Sequence, residues 1–140
     1  MFERILLAVD GSDHAVHAAK VAAELAQCME SAELRIVVAY DPIPPYLGEP
    51  NLQTAISARL NEAQEILQKA VEIVGKSHLD IHTELIEGNS AEAIIEVAKT
   101  RNSDVIVMGS RGLGRLAGLL LGSTSQKVVS HAPCPVLIVT

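Results

Sequence analysis

Two stretches of this chain hold residue types suited to gripping an anion. Gly109-Ser110-Arg111-Gly112 is one, Gly122-Ser123-Thr124-Ser125 is the other, and nine residues separate Gly112 from Gly122. Glycine lets backbone N–H groups approach a ligand closely. A helix N-terminus adds unpaired donors and the positive end of a dipole. Ser123, Thr124 and Ser125 add hydroxyls, and Arg111 or Arg115 adds charge. The chemistry of the pattern is phosphate binding. Two familiar phosphate motifs fail on it. Gly109 and Gly114 have the outer spacing of a Walker A loop, but Arg115 and Leu116 follow where Lys and Ser or Thr are needed. Gly112-Leu113-Gly114-Arg115-Leu116-Ala117 fits a dinucleotide fingerprint in spacing. Such a site, however, uses the first βα turn and an acid about 20 residues downstream. No Asp or Glu occurs after Asp104, so a dehydrogenase is excluded.

Other reactive residues are fewer. Asp10, in Asp10-Gly11-Ser12, is of a type that forms turns and caps helices. Its place at the carboxyl end of a strand-like run is also where ligands sit in an open parallel sheet, so turn former and ligand contact both stand. His14 and His17 are three apart near a helix start, a spacing that brings two imidazoles to one metal. No further ligands accompany them, so they read as a solvated helix face and no metal site is assigned. His131 reads as part of the loop before the last strand. Cys28 and Cys134 read as structural thiols: Cys134 stands between two prolines, and no His lies at a catalytic spacing.

These residues need elements to hold them. Ile5 to Val9 is a continuous apolar run, as is Val105 to Met108, and continuous runs suit strands buried on both faces. Leu34 to Tyr40 and Val136 to Val139 are further strands. Ile81 to Glu87 alternates, which marks a half-exposed edge strand. Helices fall between them. One runs from Ser12 or Asp13 with an alanine stripe (Ala15, Ala19, Ala22, Ala23, Ala26), and one carries Ile56, Leu60, Ala63, Leu67, Ala70 and Val74, stopping near Gly75. Another starts at Asn89-x-x-Glu92, a capping-box pattern, and the last covers Ser123 to Ser130. Residues 41–51 hold four of the six prolines and form a long irregular loop of the kind that is more often functional than accidental. The order β-α-β-α-β-α-β-α-β implies parallel strands with right-handed crossovers in one domain, residues 1–140.

Composition agrees. At 140 residues and 49% hydrophobic, the chain supports one core, and with 2% aromatics that core is aliphatic. The net charge is −6, which disfavours nucleic acid. Residues 105–140 nevertheless carry +3 from Arg111, Arg115 and Lys127, leaving −9 on residues 1–104. The basic quarter suits an anionic ligand. Met1-Phe2-Glu3-Arg4 opens directly into a strand, and Leu116 to Leu121 is far shorter than the ~20 residues that span a bilayer. The expectation is a cytoplasmic protein with no membrane insertion.

Taken together, Gly-x2-Gly-x9-Gly-[ST], filled by Gly109, Gly112, Gly122 and Ser123, resembles the nucleotide signature of the universal stress proteins. The resemblance covers the whole chain. Ile5 to Ser12 resembles the family's first strand and Asp-containing turn, Asp41-Pro42 its second-strand exit, and His131 to Val136 its entry to the last strand. It implies an α/β fold of three layers, α/β/α, with four helices and a five-stranded parallel sheet in the order 3-2-1-4-5. It implies the ATP-binding branch, with Mg2+ or Mn2+ held mainly through the phosphates. Carried over, Ala8, Val9 and Asp10 contact adenine and ribose, and Ala39 meets adenine through its backbone. Met108, Gly109 and Gly112 line ribose and phosphates. Gly122, Ser123, Thr124 and Ser125 cradle the phosphates, with Arg111 beside them. The implied function is a cytosolic ATP-binding regulator of stress responses, homodimeric through residues 136–139, acting on a protein partner. Any hydrolysis or autophosphorylation is slow, because no general base and no Walker lysine is present. The alternative is a homodimeric accessory module, for a transporter or another protein, with a vestigial nucleotide site.

Overall fold

The computed structural model describes residues 2–29, 32–75, 79–110 and 121–140. Its elements are β1 (Arg4–Ala8), α1 (Asp13–Gln27), β2 (Glu33–Tyr40), α2 (Asn51–Val74), β3 (Asp80–Glu87), α3 (Ser90–Thr100), β4 (Val105–Gly109), α4 (Ser123–His131) and β5 (Val136–Val139). All strand pairs are parallel, in the order β3-β2-β1-β4-β5. The fold class and strand order, and the four α-helices among the described residues, are those the family resemblance implied.

The continuous apolar runs have the expected cause. Ile5, Leu7, Val9, Leu34, Ile36, Val38, Val105 and Val107 point to a core under α1 and α2. Leu6, Ala8, Val37, Ile106 and Met108 point to a second core under α3 and α4. Leu6 and Leu7 are adjacent and both fully buried, on opposite faces. Each such side chain contributes about 1.5–3 kcal/mol. Six alanines of α1 are buried against the sheet, and their small side chains let the helix lie close to β4.

Helix ends follow local chemistry. The Ser12 hydroxyl accepts from the Ala15 N–H (3.2 Å), and the Asn89 carbonyl oxygen accepts from the Glu92 N–H (3.2 Å). The α2 stripe continues to Leu60, but burial does not: Leu60 is exposed, and the fully buried residues begin at Ala63. A 24-residue helix is ~36 Å long, whereas an eight-residue strand spans ~26 Å. His131 closes α4 with its Nδ1 3.1 Å from the Lys127 carbonyl, rather than lying in the loop.

The two sheet edges differ. At β3, Glu84 Oε1 lies 2.8 Å from Arg101 Nη2 and 3.7 Å from Arg35 Nη1, and His82 Nε2 lies 3.0 Å from Asp80. β5 carries only Val136, Leu137, Ile138 and Val139, with Leu137 exposed. Among the described residues, no helix is long and apolar enough to cross a membrane.

Candidate functional site

Strand order reverses between β1 and β4. Their following connections leave in opposite directions, which opens a crevice at their carboxyl ends. An open cleft lies there. Its wall contains Ala8, Val9 and Asp10 from the end of β1, Ala39 from β2, Met108 and Gly109 from β4, and Thr124 and Ser125 from α4. Eight of the sequence-proposed residues are therefore together in one cavity. Gly122 and Ser123 open α4 beside it without appearing in the lining. Arg111 and Gly112 lie outside the described residues.

The turn after β1 is built by three consecutive residues. Asp10 Oδ1 accepts from the Ser12 N–H (3.0 Å), and Ser12 then caps α1. Gly11 between them has φ +86°, a region that costs any residue with a Cβ. Asp10 thus forms the turn and also lines the cleft.

The neck of the glycine-rich loop is pinned from several sides. The Ser110 N–H donates to the Val139 carbonyl (2.8 Å), and the Gly122 N–H donates to the Ser110 carbonyl (2.7 Å). The Ser125 hydroxyl, in a residue only 2% exposed, donates to the carbonyls of Gly109 (2.9 Å) and Ser110 (3.1 Å). Helix geometry gives the N–H groups of Ser123, Thr124 and Ser125 no acceptor within α4, and Gly122 offers no side-chain cap. This places backbone donors and the Thr124 hydroxyl at one end of the cleft. Val37, Ile94 and Met108 give the cleft an apolar surface that suits a planar base, and Ser12, Ala15 and Ser90 complete it. Among the lining residues Asp10 is the one acid.

Several expectations need correction. His14 and His17 do not face only solvent: His14 Nδ1 is 2.8 Å from Ser110 Oγ, and His17 Nδ1 is 3.2 Å from the Thr140 carbonyl oxygen. Lys127 is directed to α3, its Nζ 3.2 Å from Glu92 Oε1. Residues 41–50 include a short 3-10 turn, Pro45–Leu47, and none of them lines the cleft. Cys28 and Cys134 are both free, and burial, with Asp104 second, pushes the Cys134 thiol up, which disfavours a nucleophile. Ser90 and Ile94 were missed. The available signal was Gly88-Asn89-Ser90: every helix following a parallel strand starts at the same rim as the cleft.

Comparisons with known proteins converge. The profile of the Universal stress protein family matches residues 1–140. A Thermus aquaticus protein described as "Universal stress protein in QAH/OAS sulfhydrylase 3'region" is 50% identical over 139 residues, covering 99% of each chain. The structure of universal stress protein UspA from Lactobacillus plantarum matches with a TM-score of 0.87 at 29% identity, over 99% of this chain and 98% of that one. A universal stress protein crystallised in complex with cAMP matches with a TM-score of 0.75 at 27% identity, over 99% of this chain and 97% of that one.

Proposed function

The chain belongs to the universal stress protein family, and on that footing we propose that it binds ATP in the β1–β4 crevice and regulates stress responses through nucleotide-dependent contacts with a protein partner. One observation carries the reading: eight of the residues assigned to base, ribose and phosphate line a single cavity. The residues fit the ligand by type. Val37 and Ile94 offer apolar contact to adenine, Ala39 meets it through its backbone, and Met108 lines the ribose. Asp10 offers its carboxylate to the ribose hydroxyls. Thr124, Ser123 and the first N–H groups of α4 face phosphate, with Gly112 and Arg111 assigned beside them from the signature. One acid in the lining is too few for a protein-built divalent site, so Mg2+ or Mn2+ is held mainly by phosphate oxygens. A related protein that crystallised with cAMP supports the adenine part.

The chain's own residues position the nucleotide and do little chemistry on it. Among the described residues no lysine lines the cleft, and Lys127 is paired to Glu92. ATP turnover is therefore slow. Two free cysteines suit a reducing compartment, the cytoplasm. The protein acts as a homodimer through β5.

The test is direct. Denaturing the purified protein and separating the supernatant should release an adenine nucleotide, and calorimetry with Mg2+-ATP should show saturable binding. No nucleotide and no heat sinks the ATP reading and favours the accessory module. Fast phosphate release at saturating ATP, abolished by Asp10→Ala, would instead make the protein an ATPase.

A further inference from the structure

We propose that His14 is the positioning residue of the phosphate site: it sets the neck of the glycine-rich loop and so tunes affinity for the phosphate part of the ligand alone. The inference rests on the nucleotide reading above and deepens it. Ser110, the last residue before the loop, is 2% exposed, and its backbone is tied to Val139 and Gly122. Its hydroxyl is in hydrogen-bond contact with His14 Nδ1, at 2.8 Å. A second contact fixes the same place. A Cβ on Gly109 would stand 2.7 Å from His14 Cβ and 2.9 Å from the His14 carbonyl carbon. The first turn of α1 is thus pressed against the end of β4, and the imidazole reaches past Gly109 to the next residue.

The consequence is local. The Ser110 carbonyl accepts from the Gly122 N–H, and Gly122 opens α4. Ser110 therefore sets where the donors of Ser123 and Thr124 point. His14 does not itself line the cleft, and Val37, Ala39 and Ile94, on the base side, belong to β2 and α3 rather than to the β4 end that His14 touches. Removing the imidazole loosens the phosphate end and leaves the base end as it was.

The test compares ATP with adenosine by calorimetry on His14→Ala, His14→Asn and wild type. One ordinary hydrogen bond corresponds to roughly a three- to tenfold change in an equilibrium. His14→Ala should weaken Mg2+-ATP by about that factor and leave adenosine unchanged. His14→Asn should restore ATP affinity, because its amide group bonds from the position of Nδ1 and serves as donor or acceptor. Ser110→Ala removes the same bond from the other side and covers the case in which His14→Ala fails to fold. Equal ATP affinity in wild type and His14→Ala overturns the role of His14 alone. Parallel loss of ATP and adenosine, or no rescue by Asn, also overturns it. Wild type that binds neither ligand overturns the nucleotide reading and this one with it.

Discussion

Gly109 illustrates how one residue can satisfy two arguments that differ in cause. The sequence explains it as a place where backbone approaches phosphate. The structure gives a steric reason inside the protein: the first turn of α1 occupies the space of a Cβ. The neighbour at 2.7–2.9 Å includes backbone, which cannot swing aside. Gly109→Ala should therefore destabilise the fold itself, by about 1–3 kcal/mol as overpacked sites do. Urea unfolding of the ligand-free protein measures this. A midpoint equal to wild type would leave phosphate approach as the only reason for the glycine. At this scale the sequence was least transparent. His14 and His17 lie on a helix face that a helical wheel assigns to solvent, yet the ends of β4 and β5 reach that face. Lys127 is near the loop in sequence but is bonded to α3 in space.

At the level of elements the sequence was far more legible, because burial on both faces leaves a plain mark. Ile5-Leu6-Leu7 and Val105-Ile106-Val107 have no polar residue, and each alternate side chain fills a different core. The edge position of β3 was readable from its alternation, and the start of α3 from Asn89-x-x-Glu92. What the pattern could not show was where an element ends relative to its neighbours. Leu60 continues a sound helical stripe yet projects past the sheet. Ser90 and Ile94 belong to a correctly placed helix; its start at the cleft rim followed from the parallel order, but which helix starts border the crevice depends on strand order. That first turn depends on its cap. Asn89→Ala should cost about 1 kcal/mol, and Asn89→Gly only a few tenths. Thermal melts of the two variants provide the check, and equal losses would mean that the cap bond is not what holds α3 in place.

On the scale of the whole molecule, the informative features are the crevice and the β5 edge. Both touch the same backbone, since Val139 accepts from the Ser110 N–H while its strand forms the sheet margin. The proposed dimer pairs β5 with β5. Leu137 is 40% exposed in the single chain, so a charge there is tolerated by the fold but not by a strand-to-strand interface. Sedimentation equilibrium should give a dimer for wild type and a monomer for Leu137→Lys. A variant that remains dimeric would move the interface elsewhere. The ion pairs on the opposite margin then have a meaning beyond stability. A sheet with two similar apolar edges adds copies without end. Here the β3 margin, with Asp80, Glu84 and Glu87 and the polar His82, offers a polar, acidic edge to any β5 that approaches it. Only like margins match, and such an isologous union uses up both of its sticky edges at once. In the proposed dimer such an acidic edge would leave only the β5 margins free to pair, which works against open-ended growth into fibres.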